Sequence, residues 1–331
     1  IPARGELPAA AASTAAALAA HSCLVNMFRA SEVAATAAWR CGLLEAVSEH
    51  VLATAGSWRA DPSSHRGSAG AQRLVWAVRV LTALLVSSRE AFDDSILGGV
   101  ESSTLHGPAL AAVLLSMRSV AEKDGAVCLE MLEMLRQCMH ARRSGDPPRP
   151  RAFDSQGGAD VLQSFLLRLE FIQWMLRHSQ RRQLPSAVYC KVMSVLSLCA
   201  PVLSGRPVLL RYMTYLAEQI KVYAHGQLHA RKIGEYDRQR LTATLRFLAC
   251  LQHCPRCTDL LVGSAPLAHG TIQQGALGME LWLDLVDPQL RQPASVQAAA
   301  LHVLLSVARS PSPCAKSCFL SSGRALPVLL G

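Results

Sequence analysis

Apolar residues recur three and four positions apart along almost the whole chain, in stretches of roughly 15 to 20 residues separated by glycine, proline or polar breaks. This period predicts helix after helix. The first runs over about 9–29. A second, about 32–55, has Ser31 as its N-cap and Gly56 as its end. The polar segment 56–70 reads as a surface loop, followed by helices at 71–88 and 90–97 and by a proline-started helix at 108–121. Over 125–143, Cys128, Met131, Leu132, Leu135, Cys138 and Met139 fall on one helical face, which reads as a core seam rather than a methionine-lined groove.

Arg142 to Asp154, RRSGDPPRPRAFD, interrupts the pattern, because Pro147, Pro148 and Pro150 exclude helix and their neighbours favour water. The predicted organisation is an N-terminal helical block over 1–143, a linker over 144–158 and a C-terminal helical block over 159–331. The second block is expected to open with one helix, 159–178, whose core face is Leu162, Phe165, Leu166, Leu169, Ile172 and Leu176, opposite Gln163, Arg168, Glu170 and Arg177. Helices to about Leu203, over 209–225, over 235–252 and over 280–285 follow, then a helix, a Ser-Pro break, a short helix, a glycine turn and a last helix opened by Leu326-Pro327.

Composition reinforces the helical pattern. Half of the 331 residues are hydrophobic and only 5% are aromatic, so alanine, leucine and valine supply most of the apolar surface. No stretch keeps the strict alternation a half-buried strand requires, and the expected class is all-α. Residues 7–28 carry no charge, but their alanine-rich composition suits a buried helix better than a signal or membrane segment. The chain starts at Ile1 without a methionine and stops inside its last expected helix, so it reads as a piece of a longer protein.

The net charge of +9 permits contact with polyanions, though it is thinly spread. A candidate basic contact surface comprises Arg142, Arg143, Arg181, Arg182, Arg231, Lys232, Arg238 and Arg240. Solvated helix ends explain the same residues, and Tyr236 is the only aromatic nearby for base stacking. Eleven cysteines, mostly inside apolar stripes, point to free thiols and a reducing compartment, nucleus or cytoplasm.

Cys250, Cys254 and Cys257 have a spacing that can hold an iron–sulfur cluster. Zinc is the other metal reading, with His253, Cys314 and Cys318 as further ligands. Cys250 sits in a helical run with no preceding strand, and only Cys254 to Cys257 has the CxxC form, so packing explains the thiols without metal. No HExxH, P-loop, dinucleotide or nucleophile-elbow motif occurs. No catalytic residue and no cofactor is expected, and the chain is not expected to be an enzyme.

Repetition is visible at the breaks. FLACLQHCPRCTDLLV (247–262) matches VLLSVARSPSPCAKSCFL (303–320) with Pro255 on Pro311, and VLTALLVSSREAFDDSIL (80–97) is a looser echo. The stretch from Ala298 resembles the armadillo repeat. Ala298, Ala299, Leu301, Leu304, Leu305 and Ala308 match its buried helix, and Gly323, Leu326, Pro327, Leu329 and Leu330 match its turn and third helix. Arg324 stands in the turn and no asparagine ladder is visible, so the peptide-binding mode of importin-type members is not implied.

The resemblance implies a right-handed α-solenoid of armadillo/HEAT-like repeats. More distantly the chain resembles rotatin-like centriolar scaffolds and the meiosis inhibitor protein family of double-strand-break formation. The expected function is a non-enzymatic scaffold that assembles other proteins. The alternatives are a meiotic, chromosome-associated accessory factor with weak or indirect DNA contact, and a centriole or cilium assembly scaffold. A membrane partner is not expected.

Overall fold

The computed structural model describes residues 6–60, 69–97, 109–143, 158–181, 183–204, 206–228, 234–263, 278–287 and 292–323. Among them every regular element is an α-helix. The chain divides into two compact units, Ile1–Leu169 and Glu170–Gly331. Of the linker expected over 144–158, residues 144–157 lie outside the described residues and Gly158 already opens a helix.

The first unit holds α1 (Glu6–Ala30), α2 (Glu32–Arg40), α3 (Leu43–Ala60), α4 (Ala69–Ser87), α5 (Arg89–Leu97), α6 (Ala109–Ala121), α7 (Gly125–Arg143) and α8 (Gly158–Arg168). Their pairing follows a rule: α1 packs on α4, α2 on α5, α3 on α6 and α4 on α7. Each of α1 to α4 therefore meets the third helix along. Polar bonds between these partners span a constant stretch of chain. Thr36 reaches Ser88 and Glu90, 52 and 54 residues away, and the Trp39 indole donates to Asp94, 55 away. Arg79 pairs with Glu130, 51 away, at 3.0 Å.

Helix α4, at the centre of this unit, is nearly all apolar, with Leu74, Val78, Leu81, Leu84 and Leu85 at 0–1% exposure. Its segment Gly70–Ser87 is long and apolar enough to cross a membrane, yet half of it is buried among the other helices. The seam expected on α7 is present: Cys128, Met131, Leu132, Leu135, Cys138 and Met139 are all buried, covered by α4, α6 and α8.

Two helix boundaries differ from the sequence reading. Ser31 does cap α2, its hydroxyl accepting from Ala34 N–H at 3.2 Å, but the helix ends at Cys41. Gly42 takes a left-handed φ of 81°, and its N–H donates to the Trp39 carbonyl, a turn glycine makes without steric cost. Gly56 lies inside α3, where no tertiary contact penalises it.

The second unit holds α9 (Phe171–Ser179), α10 (Ser186–Leu198), the single turn α11 (Ala200–Leu203), α12 (Pro207–Leu228), α13 (Glu235–Ala249), α14 (Pro255–Val262), α15 (Met279–Val286), α16 (Ala294–Arg309) and α17 (Pro313–Ser321). The same rule holds: α10 packs on α13, α13 on α16 and α14 on α17. Ser186 bonds Gln239 across 53 residues and Tyr189 bonds Thr244 across 55. Helices α14 and α17 both open with proline in the first turn, behind Cys254 and Ser312 respectively. The structural counterpart of Pro255 is thus Pro313, not Pro311, because it is Ser312 that accepts from Ala315 N–H as the N-cap.

The single helix expected over 159–178 is broken into α8 and α9. Glu170 has φ 54° and ψ 16°, the left-handed conformation, with no side-chain capping bond, and Gln163, expected on the solvent face, is fully buried. A non-glycine residue pays about 1–2 kcal/mol to sit in that region. Replacing exposed Glu170 with glycine is therefore expected to raise stability by about 0.5–1 kcal/mol, part of the gain being returned to the freer unfolded chain. Urea unfolding checks this; a lower midpoint for Glu170→Gly contradicts the strain at this joint.

Candidate functional site

The Cys250 to Cys257 turn joins α13 to α14. Cys250 caps the end of α13, is exposed, and donates its thiol to the Arg246 carbonyl at 3.3 Å. Cys254 is the N-cap of α14 and Cys257 lies in its first turn, 2% and 0% exposed. The hydrogen bond with Cys254, and then burial, push the Cys257 thiol well above the usual range. Cys314 and Cys318 follow on α17, exposed and half-buried. Among the described residues no group of three or more His, Cys, Asp or Glu side chains is placed to hold a metal ion.

What the turn does is lock neighbouring helix pairs together. Thr258 Oγ1 donates back to the Cys254 carbonyl and accepts from Ser310 Oγ at 3.0 Å. Ser312 Oγ donates to Asp259 Oδ1. These bonds cross 52 and 53 residues, the spacing found throughout the fold. Ser310 and Ser312 flank Pro311, so the Ser-Pro-Ser turn is read by the preceding short helix through hydroxyls rather than through apolar contact.

A second polar cluster sits between α9, α10, α12 and α13. Tyr189 OH bonds Thr244 Oγ1 at 2.7 Å, and Tyr212 OH bonds Ser179 Oγ at 2.6 Å. The Arg240 guanidinium lies 4.3 Å from the centre of the Tyr189 ring. Burial raises both phenols far above the ordinary tyrosine range, against smaller opposing effects of the hydroxyl bonds and Arg240. The hydroxyl pairs tie α9 to α12 and α10 to α13.

Of the candidate basic residues, the side chains of Arg181, Arg238 and Arg240 are described. Arg142 and Arg143 end α7 in the first unit, with side chains outside the described set, and Arg182, Arg231 and Lys232 lie outside the described residues. Arg181 is exposed just after α9. Arg238 pairs with Glu235 at 2.9 Å, and Arg240 is half-buried over Tyr189. The residues Arg324, Leu326, Pro327, Leu329 and Leu330 of the armadillo-like ending also lie outside the described residues; Gly323 is exposed.

Among the described residues, exposed large apolar side chains are few. Leu115 on α6 and Val222 on α12 are 46% and 68% exposed, Met27 and Val33 stand out at the start of the first unit, and Leu305 and Leu320 at the end of the second. Sequence reasoning singled out none of the other five and placed Leu305, like Ala298 and Ala308, on the buried helix of the armadillo-like ending; the structure leaves these three exposed, because only the pairing shows which face of a helix is covered. No protein-family model matches the chain, and no curated protein or solved structure matches it significantly.

Proposed function

We propose that the chain is a non-enzymatic right-handed α-solenoid of armadillo/HEAT type whose surface assembles other proteins. The observation that carries this reading is the packing rule: in both units several helices meet the third helix along, and hydrogen bonds cross 49–55 residues of chain. A repeat of that kind builds an extended surface from units that each satisfy only their neighbours. The internal satisfaction of the polar clusters supports a scaffold over a catalyst. All eleven cysteines are outside disulfides, which favours a reducing compartment, nucleus or cytoplasm.

Protein partners are preferred to DNA because two of the basic side chains expected to meet phosphate, Arg238 and Arg240, are already engaged within the fold. A centriolar or a meiotic setting fits the scaffold reading equally, and the chromosome-associated variant would reach DNA through a protein partner. The test is recovery of protein complexes on the tagged full chain before and after nuclease treatment, alongside titration with mixed-sequence duplex DNA. Complexes are expected to survive the nuclease. Loss of every complex on nuclease treatment, with duplex binding that weakens about a thousandfold between about 50 and 200 mM salt, would overturn the proposal, since that slope needs roughly six phosphate contacts.

A further inference from the structure

Of the chain's 17 prolines, only Pro311 and Pro313 directly follow a serine or threonine. Both Ser-Pro dipeptides therefore fall in one turn, Ser310-Pro311-Ser312-Pro313, between α16 and α17. The backbone is extended at both serines, with φ −59° and ψ 144° at Ser310 and φ −67° and ψ 119° at Ser312, the conformation a following proline favours. Pro311 and Pro313 are exposed, as are Arg309 and Lys316 on either side, while Ser310 and Ser312 are buried. This edge of a helix pair stays open when a further pair is stacked on it. At the equivalent turn His253, Pro255 and Arg256 are exposed although α17 packs on α14.

The two buried hydroxyls form the polar part of the joint between α14 and α17. Ser310 Oγ donates to Thr258 Oγ1, and Ser312 Oγ donates to Asp259 Oδ1 while accepting from Ala315 N–H. The first unit has a joint of the same design: Ser88 accepts from Ala91 N–H at the start of α5 and from Thr36 on α2. There Arg89 follows the serine, and at the start of α14 a thiol, Cys254, precedes the proline. Of these three helix starts, α17 alone places a serine hydroxyl before a proline.

We propose that this turn is a phosphorylation site for a serine kinase that selects proline after its acceptor, and that phosphate on Ser312 releases α17 from α14. The acceptor reaches the kinase when α17 lifts from α14, a local opening expected of a nine-residue helix that depends on tertiary contact. The group transferred is the γ-phosphoryl of ATP: a bond forms from Ser312 Oγ to phosphorus, the bond to ADP breaks, and the hydroxyl proton passes to solvent. Ser312 then has no hydrogen to donate to Asp259, and a charge of about −1.5 to −2 faces that carboxylate. Repulsion holds the joint open. Attraction of the phosphate to the N-terminus of α17 acts within that helix and leaves the repulsion across the joint uncompensated. Arg309 and Lys316 offer the phosphate cationic partners on the solvent side.

The test treats the full chain with ATP, magnesium and a mitogen-activated protein kinase, beside a synthetic peptide of residues 305–320, and maps the phosphate by fragment mass. Ser312 is expected to be modified in both, more slowly in the folded chain. Hydrogen exchange then reads the joint. Amides of α17 and α14 should exchange about tenfold faster or more in the phosphorylated chain, the range for losing a hydrogen bond to a charged group, with those of α10 unchanged. In Asp259→Asn, phosphorylation should accelerate exchange less, because the facing charge is gone. Modification of the peptide but not of the folded chain overturns the proposal, since the joint then shields its serines. Failure to modify either, or phosphate on Ser310 alone, overturns it as well. So does a phosphorylated chain whose α17 exchanges like the unmodified one, or an equal acceleration in Asp259→Asn.

Discussion

Replacing Trp282 with alanine is expected to destabilise the second unit by about 3–5 kcal/mol, the range for deleting a large buried aromatic. Trp282 is fully buried in an eight-residue helix that is too short to persist alone. Its indole N–H donates to the Leu261 carbonyl at 2.6 Å, which ties α15 to the end of α14 while the ring packs towards α16. The alanine variant loses the apolar contact and the bond together. Trp282→Phe separates them: it keeps most of the ring but removes the donor, and a buried carbonyl without its partner costs about 1–3 kcal/mol. Urea unfolding followed by far-UV circular dichroism should place the variants in the order wild type, phenylalanine, alanine. An unchanged midpoint for the alanine variant would mean that α15 contributes nothing to holding α14 and α16 together.

Alkaline pH should produce the second large effect. Tyr189 and Tyr212 are buried phenols whose folded-state pKa values lie well above the ordinary tyrosine value of 10.0, desolvation being the main cause for both. In the unfolded chain they ionise near that ordinary value. A group whose folded pKa is raised contributes stability that is fully present below its unfolded pKa and is lost as pH rises towards the folded one. Stability is therefore expected to hold up to about pH 10 and then fall by about 1.4 kcal/mol per pH unit for each of the two phenols.

Tyr189→Phe and Tyr212→Phe should each remove one share of that slope while lowering stability modestly at neutral pH, because Thr244 and Ser179 lose a hydroxyl partner. Melting temperatures from pH 8 to about pH 11.5 measure it. A double phenylalanine variant with the wild-type slope would show that ionisation elsewhere drives the alkaline transition.

Some of the fold was legible because it is local. The α7 stripe from Cys128 to Met139 was readable from spacing alone, since a helix repeats every 3.6 residues whatever it packs against. The N-cap at Ser31 was readable because a hydroxyl before an apolar run satisfies a free N–H in any helix. The break at Glu170 was not, because glutamate is an ordinary helix former and no local signal marks the left-handed turn it makes. Pro311 and Pro313 are equivalent as letters. Only the bond from Ala315 N–H to Ser312 decides which opens the helix.

For the candidate site, the cysteine spacing drew attention to a turn that hydrogen-bonds across to the next short helix. Residues 250–257 matter through Thr258, Asp259, Ser310 and Ser312, ordinary residues whose pairing across about fifty positions no motif announces.

By itself, the sequence determined the helical class, the core face of most helices and the shortage of charge on the faces left over. Those follow from 3.6-residue periodicity and from the transfer free energy of side chains, which are properties of each segment. Tertiary structure decided which helices meet and that partners stand three helices apart. Many pairings bury similar apolar area when the stripes are all alanine, leucine and valine, so the choice falls to shape and to a few long-range hydroxyl bonds that exist only once the chain has folded.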